Sequence, residues 1–324
     1  SFLLNLLHTN DFHSRIEAFP ANHPQAGKGG IQQLTTLIQK QREANPNTLL
    51  LDSGDVFQGT PYFNYFGGSV EYAWMTKMGY HATTMGNHDF DNGIDHLANM
   101  LALHPKIPMV NCNYSLKGTA LFPFVKQKIV VEINNKRIGI TGVGINPDNL
   151  ITERLIPGLT YNDPVIAVQK TVDELHNIDQ CDLVFVLSHL GYQYDTDKID
   201  DIKLGSQTHG IAAILGGHTH TFLPQATVVK NAKGKTSITT DELEQAIALT
   251  KEDNDSEEDH KILEGIVKFG RTEACQIMTP RIEVDAIDIS SKNGEFLVTC
   301  FFIGDALNRA QDCNKPAKQM KNNI

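Results

Sequence analysis

The sequence has 324 residues, which is room for about two average domains or one large α/β domain with an appendage. Hydrophobic residues make up 40% and charged residues 20%, which excludes a chain disordered throughout, a collagen-like repeat and a disulfide scaffold. The 28 basic and 38 acidic residues give a net charge of −10, so an extended basic face for a nucleic-acid polymer is not expected.

The apolar runs and the cysteines exclude further classes of protein. No apolar run reaches the roughly 18 residues that a membrane-spanning helix needs. No Lys or Arg precedes the apolar run Phe2–Leu7, so we predict no signal peptide in this sequence. The five cysteines are an odd number without C-x-x-C spacing, so we expect buried thiols at Cys112, Cys181, Cys275, Cys300 and Cys313.

From the N-terminus to about Ser188, short apolar runs alternate with amphipathic helical stretches, a pattern typical of an α/β fold. The predicted strands are Leu3–His8, Thr48–Asp52, Ala82–Met85, Met109–Cys112 and Leu183–Ser188. The predicted helices include Ile31–Ala44 and Pro164–His176, whose apolar residues share one face. We predict one hairpin around Asn134-Asn135, joining Val130–Ile133 to Arg137–Val143, and a second joining Thr227–Lys230 to Thr236–Thr239.

The composition changes at Thr240. Between Asp241 and His260 nine acidic residues stand against the single Lys251. We therefore predict two domains, residues 1–239 and a helical, acidic tail over residues 240–324. Within the tail the sequence predicts a solvated linker at Lys251–Asp259, a helix around Glu257–Phe269 and a strand at Phe296–Phe302.

Polar residues with metal-binding chemistry follow the predicted strands. They are Asp11-Phe12-His13, Gly54-Asp55, Gly86-Asn87-His88-Asp89-Phe90-Asp91, His189 and Gly216-Gly217-His218-Thr219-His220. Each block alone is a weak signal, because a lone His is more often a structural residue and Gly-Asp is more often a turn. Loops at the carboxyl ends of strands converge on one crevice in an open α/β sheet, so the ordered set indicates a single site.

These blocks resemble the calcineurin-like metallophosphoesterases, and residues 7–13 with residues 86–91 resemble the catalytic domain of bacterial 5′-nucleotidases. The resemblance covers roughly residues 3–235 and implies an α/β four-layer sandwich of two mixed β-sheets flanked by helices. It implies that one metal is held by Asp11, His13 and His220, a second by Asn87, His189 and His218, and that Asp55 bridges them. It also implies that His88 is the catalytic histidine, that Asp91 orients it, and that Asn87 and His88 touch the substrate.

The chemistry of these residues agrees with that reading. Imidazole, carboxylate and amide ligands suit Mn²⁺, Zn²⁺, Fe or Co²⁺, and a bridging carboxylate can hold two cations about 3.5–4 Å apart. His88 could protonate a leaving alkoxide, and Asp91 would keep it cationic. The aromatic residues after Asp55 either line a substrate pocket or form a lid packed on the core; they are Tyr62, Phe63, Tyr65 and Phe66.

The expected function is metal-dependent hydrolysis of a small phosphate ester, such as a nucleotide, a cyclic nucleotide or a UDP-sugar. The resemblance also implies export, for instance to the periplasm. A thiosulfate-ester hydrolase of the same group is an alternative within enzymes. An interaction or regulatory module with a structural or defective metal site is the alternative from another class.

The tail departs from the family pattern. Residues from about Thr239 to Ile289 resemble the segment that precedes paired CBS domains in CorC-type transporter-associated proteins, whereas family members continue after His220 through further strands. The tail is therefore either a natural fusion or a splice of two unrelated coding sequences, with no partner that the sequence identifies. A sandwich without its final strands would expose a sheet edge unless Phe296–Phe302 replaces them.

Overall fold

Two β-sheets form the centre of the fold. The computed structural model describes residues 2–24, 26–223, 226–229, 285–287 and 296–302, all within one unit formed by residues 1–229 and 284–324. The strands described are β1 (Phe2–Thr9), β2 (Thr48–Asp52), β3 (Ala82–Thr83), β4 (Met109–Val110), β5 (Tyr114–Ser115), β6 (Val125–Lys126), β7 (Lys128–Ile133), β8 (Lys136–Gly144), β9 (Thr160–Tyr161), β10 (Leu183–His189), β11 (Ala213–Gly216), β12 (Asp285–Ile287) and β13 (Phe296–Phe302). The α-helices described are α1 (Ile31–Ala44), α2 (Pro61–Phe66), α3 (Ser69–Met78), α4 (Ile94–Leu103), α5 (Pro164–Asn177) and α6 (Asp201–Gln207).

Both large sheets are mostly parallel. The first has the order β12-β13-β1-β2-β3-β4-β6, and only the β12–β13 pair is antiparallel. The second has the order β11-β10-β8-β7, and only the β7–β8 hairpin is antiparallel. A separate antiparallel pair joins β5 to β9. Parallel strands end at the same edge of a sheet, so the loops that leave them share one side of the molecule.

Alternating side chains bury both faces of each sheet. On β10, Leu183, Phe185 and Leu187 pack between the two sheets, whereas Val184 and Val186 pack towards α5 and α6. Period-2 alternation with apolar residues on both faces is what a strand covered on two sides requires. On β1, Leu4 and Leu6 face the second sheet and Leu7 faces the core formed with α1 to α4. The described residues therefore form four layers, with helices outside two sheets.

Most of the elements predicted within the first 216 residues are present in the structure. α1 and β2 have the predicted bounds, and β7 and β8 form the hairpin predicted around Asn134-Asn135. α5 begins as predicted at Pro164, where the side chain of Asp163 accepts a hydrogen bond from the Ile166 N–H at 2.9 Å. None of the described helices is both long enough and apolar enough to cross a bilayer.

The predicted elements differ from the structure at strand ends and in the tail, and the helices α2, α3 and α4 were not predicted. β3 and β4 stop two residues before their predicted ends, at Thr83 and Val110. Residues 227–229, the described part of the second predicted hairpin, are not in a strand. The predicted linker at residues 251–259 and helix at 257–269 lie outside the described residues. Cys112 and Cys181 are buried free thiols as expected, and the side chains of the other three cysteines are outside the described part.

The tail supplies a strand to the first sheet. β13 has the bounds predicted for it and pairs in parallel with β1 over seven residues, from Phe2↔Phe296 to His8↔Phe302. β12 then pairs with the outer side of β13. β1 is therefore an interior strand of this sheet rather than an edge.

Candidate metal centre

The loops at the strand ends bring the predicted ligands together. Asp11 and His13 follow β1, Asp55 follows β2, Asn87 follows β3, and the remaining histidines come from the ends of β10 and β11. In the part of the chain that the structure describes, two groups have ligand atoms within 4.8 Å of one another. These groups are Asp11 with His13 and His220, and Asp55 with His189 and His218.

The backbone is strained where it carries these side chains. Five of these six residues have left-handed backbone angles, with φ of 49° at Asp11, 46° at His13, 54° at Asp55, 76° at His218 and 51° at His220. This region costs an ordinary L-residue about 1–2 kcal/mol. Paired backbone bonds hold two of the loops, from Asp11 N–H to the Gly54 carbonyl at 2.9 Å and from His13 N–H to the Asp55 carbonyl at 3.0 Å. Strain concentrated at candidate ligands indicates a functional constraint.

Backbone carbonyls fix the orientation of two imidazoles. The Nδ1 atom of His189 lies 2.7 Å from the Ser53 carbonyl, and that of His13 lies 3.2 Å from the Phe57 carbonyl. A carbonyl oxygen only accepts, so each Nδ1 carries a proton and each Nε2 faces the cluster. The Nε2 atoms of His13 and His220 lie 3.1 Å apart, which is close enough for both to bind one cation.

Asp55 lies between the two clusters. One carboxylate oxygen, Oδ2, is 3.1 Å from His189 Nε2 and 3.9 Å from His13 Nε2. The other, Oδ1, accepts the His88 N–H at 2.8 Å. Burial acts to raise the pKa of Asp55, but the charge and hydrogen bond of His189, together with the charges of His13 and His88, outweigh burial and hold the pKa below its usual range.

His189 gives a direct test of whether a cation fits. Its side chain is fully buried, and Nε2 lacks an aligned hydrogen-bond partner despite its approach to Asp55. Burial acts to lower the pKa of His189, whereas the charge of Asp55 raises it, and the net result is about 10. The unpartnered Nε2 atom and the Asp55 carboxylate face the same position, where both could be ligands of one divalent cation. The residues present fit a cation at this position.

An amide oxygen extends the second cluster. Asn87 Oδ1 lies 2.8 Å from His218 Nδ1, and Asn87 is 9% exposed. The His218 N–H lies 3.0 Å from both carboxylate oxygens of Asp11, so the two clusters adjoin. Imidazole nitrogen, carboxylate oxygen and amide oxygen together are a donor set that suits divalent first-row metals.

His88 and Asp91 form a pair at the mouth of the site. His88 Nδ1 lies 3.1 Å from Asp91 Oδ2, and the two side chains are 36% and 35% exposed. The hydrogen bond to Asp91 raises the pKa of His88 against the opposing effect of partial burial. The His88 ring meets the His13 ring edge-on at a centroid distance of 5.4 Å, which places it beside the first cluster.

The aromatic residues of α2 do not act as one set. Phe63 is buried in the core, whereas Tyr65 is 83% exposed and Phe66 52% exposed. The Tyr62 hydroxyl donates to Glu17 Oε1 at 2.7 Å. Phe63 and Tyr62 therefore pack on the core, whereas Tyr65 and Phe66 face outward.

Sequence reasoning missed the residues that orient the ligands. The Ser53 carbonyl holds His189, and the Ser53 side chain lies 2.8 Å from Nε2 of the buried His8. The Phe57 carbonyl holds His13. A contact made by a backbone carbonyl leaves no trace in residue type, so no signal in one sequence would have found it.

The fold and the paired clusters are those of a metal-dependent phosphoesterase. A family model described as "Calcineurin-like phosphoesterase" matches residues 4–222. The chain belongs to this family and is related to the 5′-nucleotidases, which confirms the resemblance read from the sequence.

Relatives and solved structures match the same region. A snake venom 5′-nucleotidase from Naja atra is 31% identical over 233 residues, 69% of this chain and 42% of that protein. The human 5′-nucleotidase is 31% identical over 68% of this chain and 38% of that protein. The crystal structure of a 5′-nucleotidase precursor from Thermus thermophilus has a TM-score of 0.60 and 31% identity, and the match covers 71% of this chain and 44% of that one. The chain thus spans about two fifths of the length of these relatives.

Proposed function

We propose that the chain hydrolyses phosphate monoesters of nucleotides at a site for two divalent cations. The observation that carries the proposal is the position of Asp55, whose Oδ2 atom faces a histidine of each cluster. A carboxylate shared by two adjoining ligand sets is the arrangement that a two-metal hydrolase requires.

We assign the ligands by cluster. Asp11, His13 and His220 would hold one cation, and His189, His218 and Asn87 the other, with Asp55 shared between them. When bound, such cations offset the charge of phosphoryl oxygens and lower the pKa of a water molecule, so that hydroxide is available near neutral pH. The chain's own part is to fix seven ligand side chains before any cation arrives. The carbonyls of Ser53 and Phe57 do this for His189 and His13.

His88 provides the proton for the leaving group. Its Nδ1 atom is held by Asp91, so Nε2 is the ring atom that can contact an ester oxygen. Because Asp91 raises the pKa of His88, the imidazole is charged over a wider pH range than a free histidine. A charged imidazole can stabilise negative charge on a phosphoryl oxygen and then donate its proton to the departing alkoxide.

The proposed substrate class rests on the relatives. Those at about 31% identity are named 5′-nucleotidases, and a structure at 27% identity is named a NAD nucleotidase from Haemophilus influenzae. Since this chain matches about two fifths of the named nucleotidases, the preference among nucleotides is part of the proposal. One relative is a venom protein, which supports export; the periplasm itself stays a prediction.

The test compares two esters on one protein preparation. Hydrolysis of adenosine monophosphate and of an aryl phosphodiester is measured on the full chain after chelation, and again after Mn²⁺ or Zn²⁺ is added. We expect turnover of the monoester to vanish with chelator and to return with metal. A preference for the diester would overturn the monoesterase assignment.

An Asp55→Asn variant is the matched control, because it keeps the shape of the side chain and removes the shared charge. Turnover of the variant should stay near background even with added metal. Equal turnover of variant and wild type would show that the measured hydrolysis does not take place at this centre.

A further inference from the structure

We propose that Asp89 is a positioning residue whose carboxylate organises both metal-binding clusters without touching either cation. This inference rests on the proposed function, because it concerns the same centre. Asp89 is 1% exposed and belongs to a single 3₁₀ turn, His88–Phe90. It has no place among the seven assigned ligands or the His88–Asp91 pair.

Four backbone N–H groups converge on the Asp89 carboxylate. Oδ2 accepts from Asp55 N–H at 3.0 Å and from Gly86 N–H at 2.8 Å. Oδ1 accepts from Val56 N–H at 3.1 Å and from Phe57 N–H at 3.3 Å. An ionised carboxylate is suited to accept four donors, because it has about four lone-pair positions and no proton of its own.

These donors belong to two loops that carry ligands. Asp55 itself donates to Asp89, and Gly86 directly precedes Asn87. The link is reciprocal, since Asp55 Oδ1 accepts the His88 N–H at 2.8 Å. The left-handed backbone of Asp55, with φ of 54°, is therefore held by a bond at its own amide.

The effect of Asp89 extends to the first cluster through backbone contacts. Residues 54–56 accept hydrogen bonds from the loop after β1, including His13 N–H to the Asp55 carbonyl at 3.0 Å. The Phe57 carbonyl, whose own residue donates to Asp89, orients the His13 imidazole. One buried carboxylate thus supports the loop of Asp55 directly and the loop of His13 through it.

The first variant is Asp89→Asn, which keeps the size of the side chain. In the variant, an NH₂ group takes the place of one carboxylate oxygen, and each oxygen accepts two backbone N–H groups in the wild type. Two backbone donors therefore lose their acceptor. We expect the affinities of both Mn²⁺ sites to fall together by about 10–100-fold. The paramagnetic resonance signal of free Mn²⁺ measures both affinities. Asp89→Glu, which keeps the carboxylate, should recover part of that loss.

Asp52→Asn is the matched control. Asp52 is also 1% exposed, and it accepts from the hydroxyls of Thr9 and Thr83 and from the Gly54 N–H at 2.6, 2.8 and 2.9 Å. Hydroxyls can rotate to accept from an amide, so this variant should bind Mn²⁺ within about threefold of wild type. Equal loss in both variants, or an Asp89→Asn protein that binds two Mn²⁺ as tightly as wild type, would overturn the proposal.

Hydrogen exchange of the wild-type protein tests the proposal even where Asp89→Asn does not fold. The amide hydrogens of Val56, Phe57 and Gly86 should be protected equally with and without Mn²⁺, because Asp89 holds them in both states. Free exchange that stops only on adding Mn²⁺ would show that the metal, not Asp89, organises these loops. Tight Mn²⁺ binding without ester hydrolysis would instead overturn the proposed function and leave the role of Asp89 intact.

Discussion

At the scale of single residues, the role proposed for His88 separates proton transfer from metal binding. Its ring is held by Asp91 and lies beside the first cluster without belonging to it. A His88→Ala variant should therefore bind two Mn²⁺ as wild type does while kcat for a nucleotide monoester falls by about 10²–10⁴-fold. The measurement is steady-state turnover at saturating metal together with metal content.

His104→Ala is the control for this variant. His104 caps the C-terminal end of α4 and belongs to neither cluster, so its loss should leave turnover unchanged. Undiminished turnover in His88→Ala, with both metals bound, would remove His88 from the mechanism.

Asp201 makes stability depend on pH. Burial raises the pKa of this carboxyl group to about 8 from its ordinary value of 3.8, and its Oδ1 accepts the Ser188 hydroxyl at 2.5 Å. Between these two pKa values the folded chain retains a proton that the unfolded chain has lost. The contribution of protonated Asp201 to the free energy of unfolding is therefore complete below about pH 4 and is lost as the pH rises through 8. Asp200 and Asp11 add to the elevation, while His189 opposes it.

The Asp201→Asn variant tests this dependence. Its amide stays neutral at every pH, so the difference in unfolding free energy between variant and wild type should grow in favour of the variant from pH 5 to pH 8.5. Urea unfolding of chelator-treated protein at both pH values measures it. A difference that does not change with pH would contradict a carboxyl group that stays protonated in the folded chain.

The residues that could be predicted from sequence are those whose type carries the chemistry. Asp11, His189 and His220 stand out because carboxylate and imidazole follow apolar strands. Ser53 could not be found in this way, since it orients His189 through its carbonyl, a group that every residue has. Asp89 belongs to the block Gly86–Asp91, but three of its four backbone donors come from residues 55–57, a contact that only the folded chain reveals.

At the scale of elements, the loop after β3 requires glycine at position 86, because no space is left there for a side chain. A Cβ atom added to Gly86 would collide with Asp55 Oδ1 and lie 2.6 Å from the Asp55 amide nitrogen. Gly86→Ala should therefore displace Asp55, weaken Mn²⁺ binding by at least about tenfold, and lower the melting temperature.

The control is Gly118→Ala, where φ is +91° but no atom lies within 4 Å of an added Cβ. This variant strains only its own backbone, so it should lower the melting temperature and leave metal binding unchanged. If both variants bind Mn²⁺ as wild type does, the contact between the two loops is not tight.

The pairing of β13 with β1 makes a prediction about the tail. A chain ending at Thr239 lacks β13 and leaves the whole edge of β1 without a hydrogen-bonded neighbour. It should aggregate at concentrations where the full chain is monodisperse, as measured by light scattering. Turnover per folded molecule should persist, because β13 carries none of the assigned ligands. A monodisperse truncated chain with an unchanged melting temperature would show that this pairing contributes nothing.

Elements were predictable where one periodicity dominates. α1 has the predicted bounds because apolar positions repeat at helical spacing without a competing signal. β3 was predicted two residues too long, since Thr84 continues the β-branched run but donates its hydroxyl to the Val110 carbonyl at 2.8 Å as the chain turns into the site. α2, α3 and α4 were missed, although Pro61 at the start of α2 and left-handed Gly67 and Gly79 at the ends of α2 and α3 are recognisable boundary residues.

At the scale of the whole molecule, the proposed centre would couple metal binding to fold stability. The assigned ligands follow β1, β2 and β3 of one sheet and β10 and β11 of the other, so bound cations would tie both sheets together, and an unfolded chain offers no such site. Each cation should stabilise the fold by about 2.7 kcal/mol at a concentration one hundred times its dissociation constant. The melting temperature of chelator-treated protein should thus rise steadily with added Mn²⁺, and a melting temperature indifferent to Mn²⁺ would contradict a folded-state site.

The first cluster joins the beginning of the described chain to its later part, since His13 and His220 are 207 positions apart. At about 5–20 residues per second, a ribosome adds that length in roughly 10–40 s. Throughout that interval the nascent chain carries Asp11 and His13 without their third partner. In the proposed centre, the first cluster is therefore complete only after His220 has emerged from the ribosome.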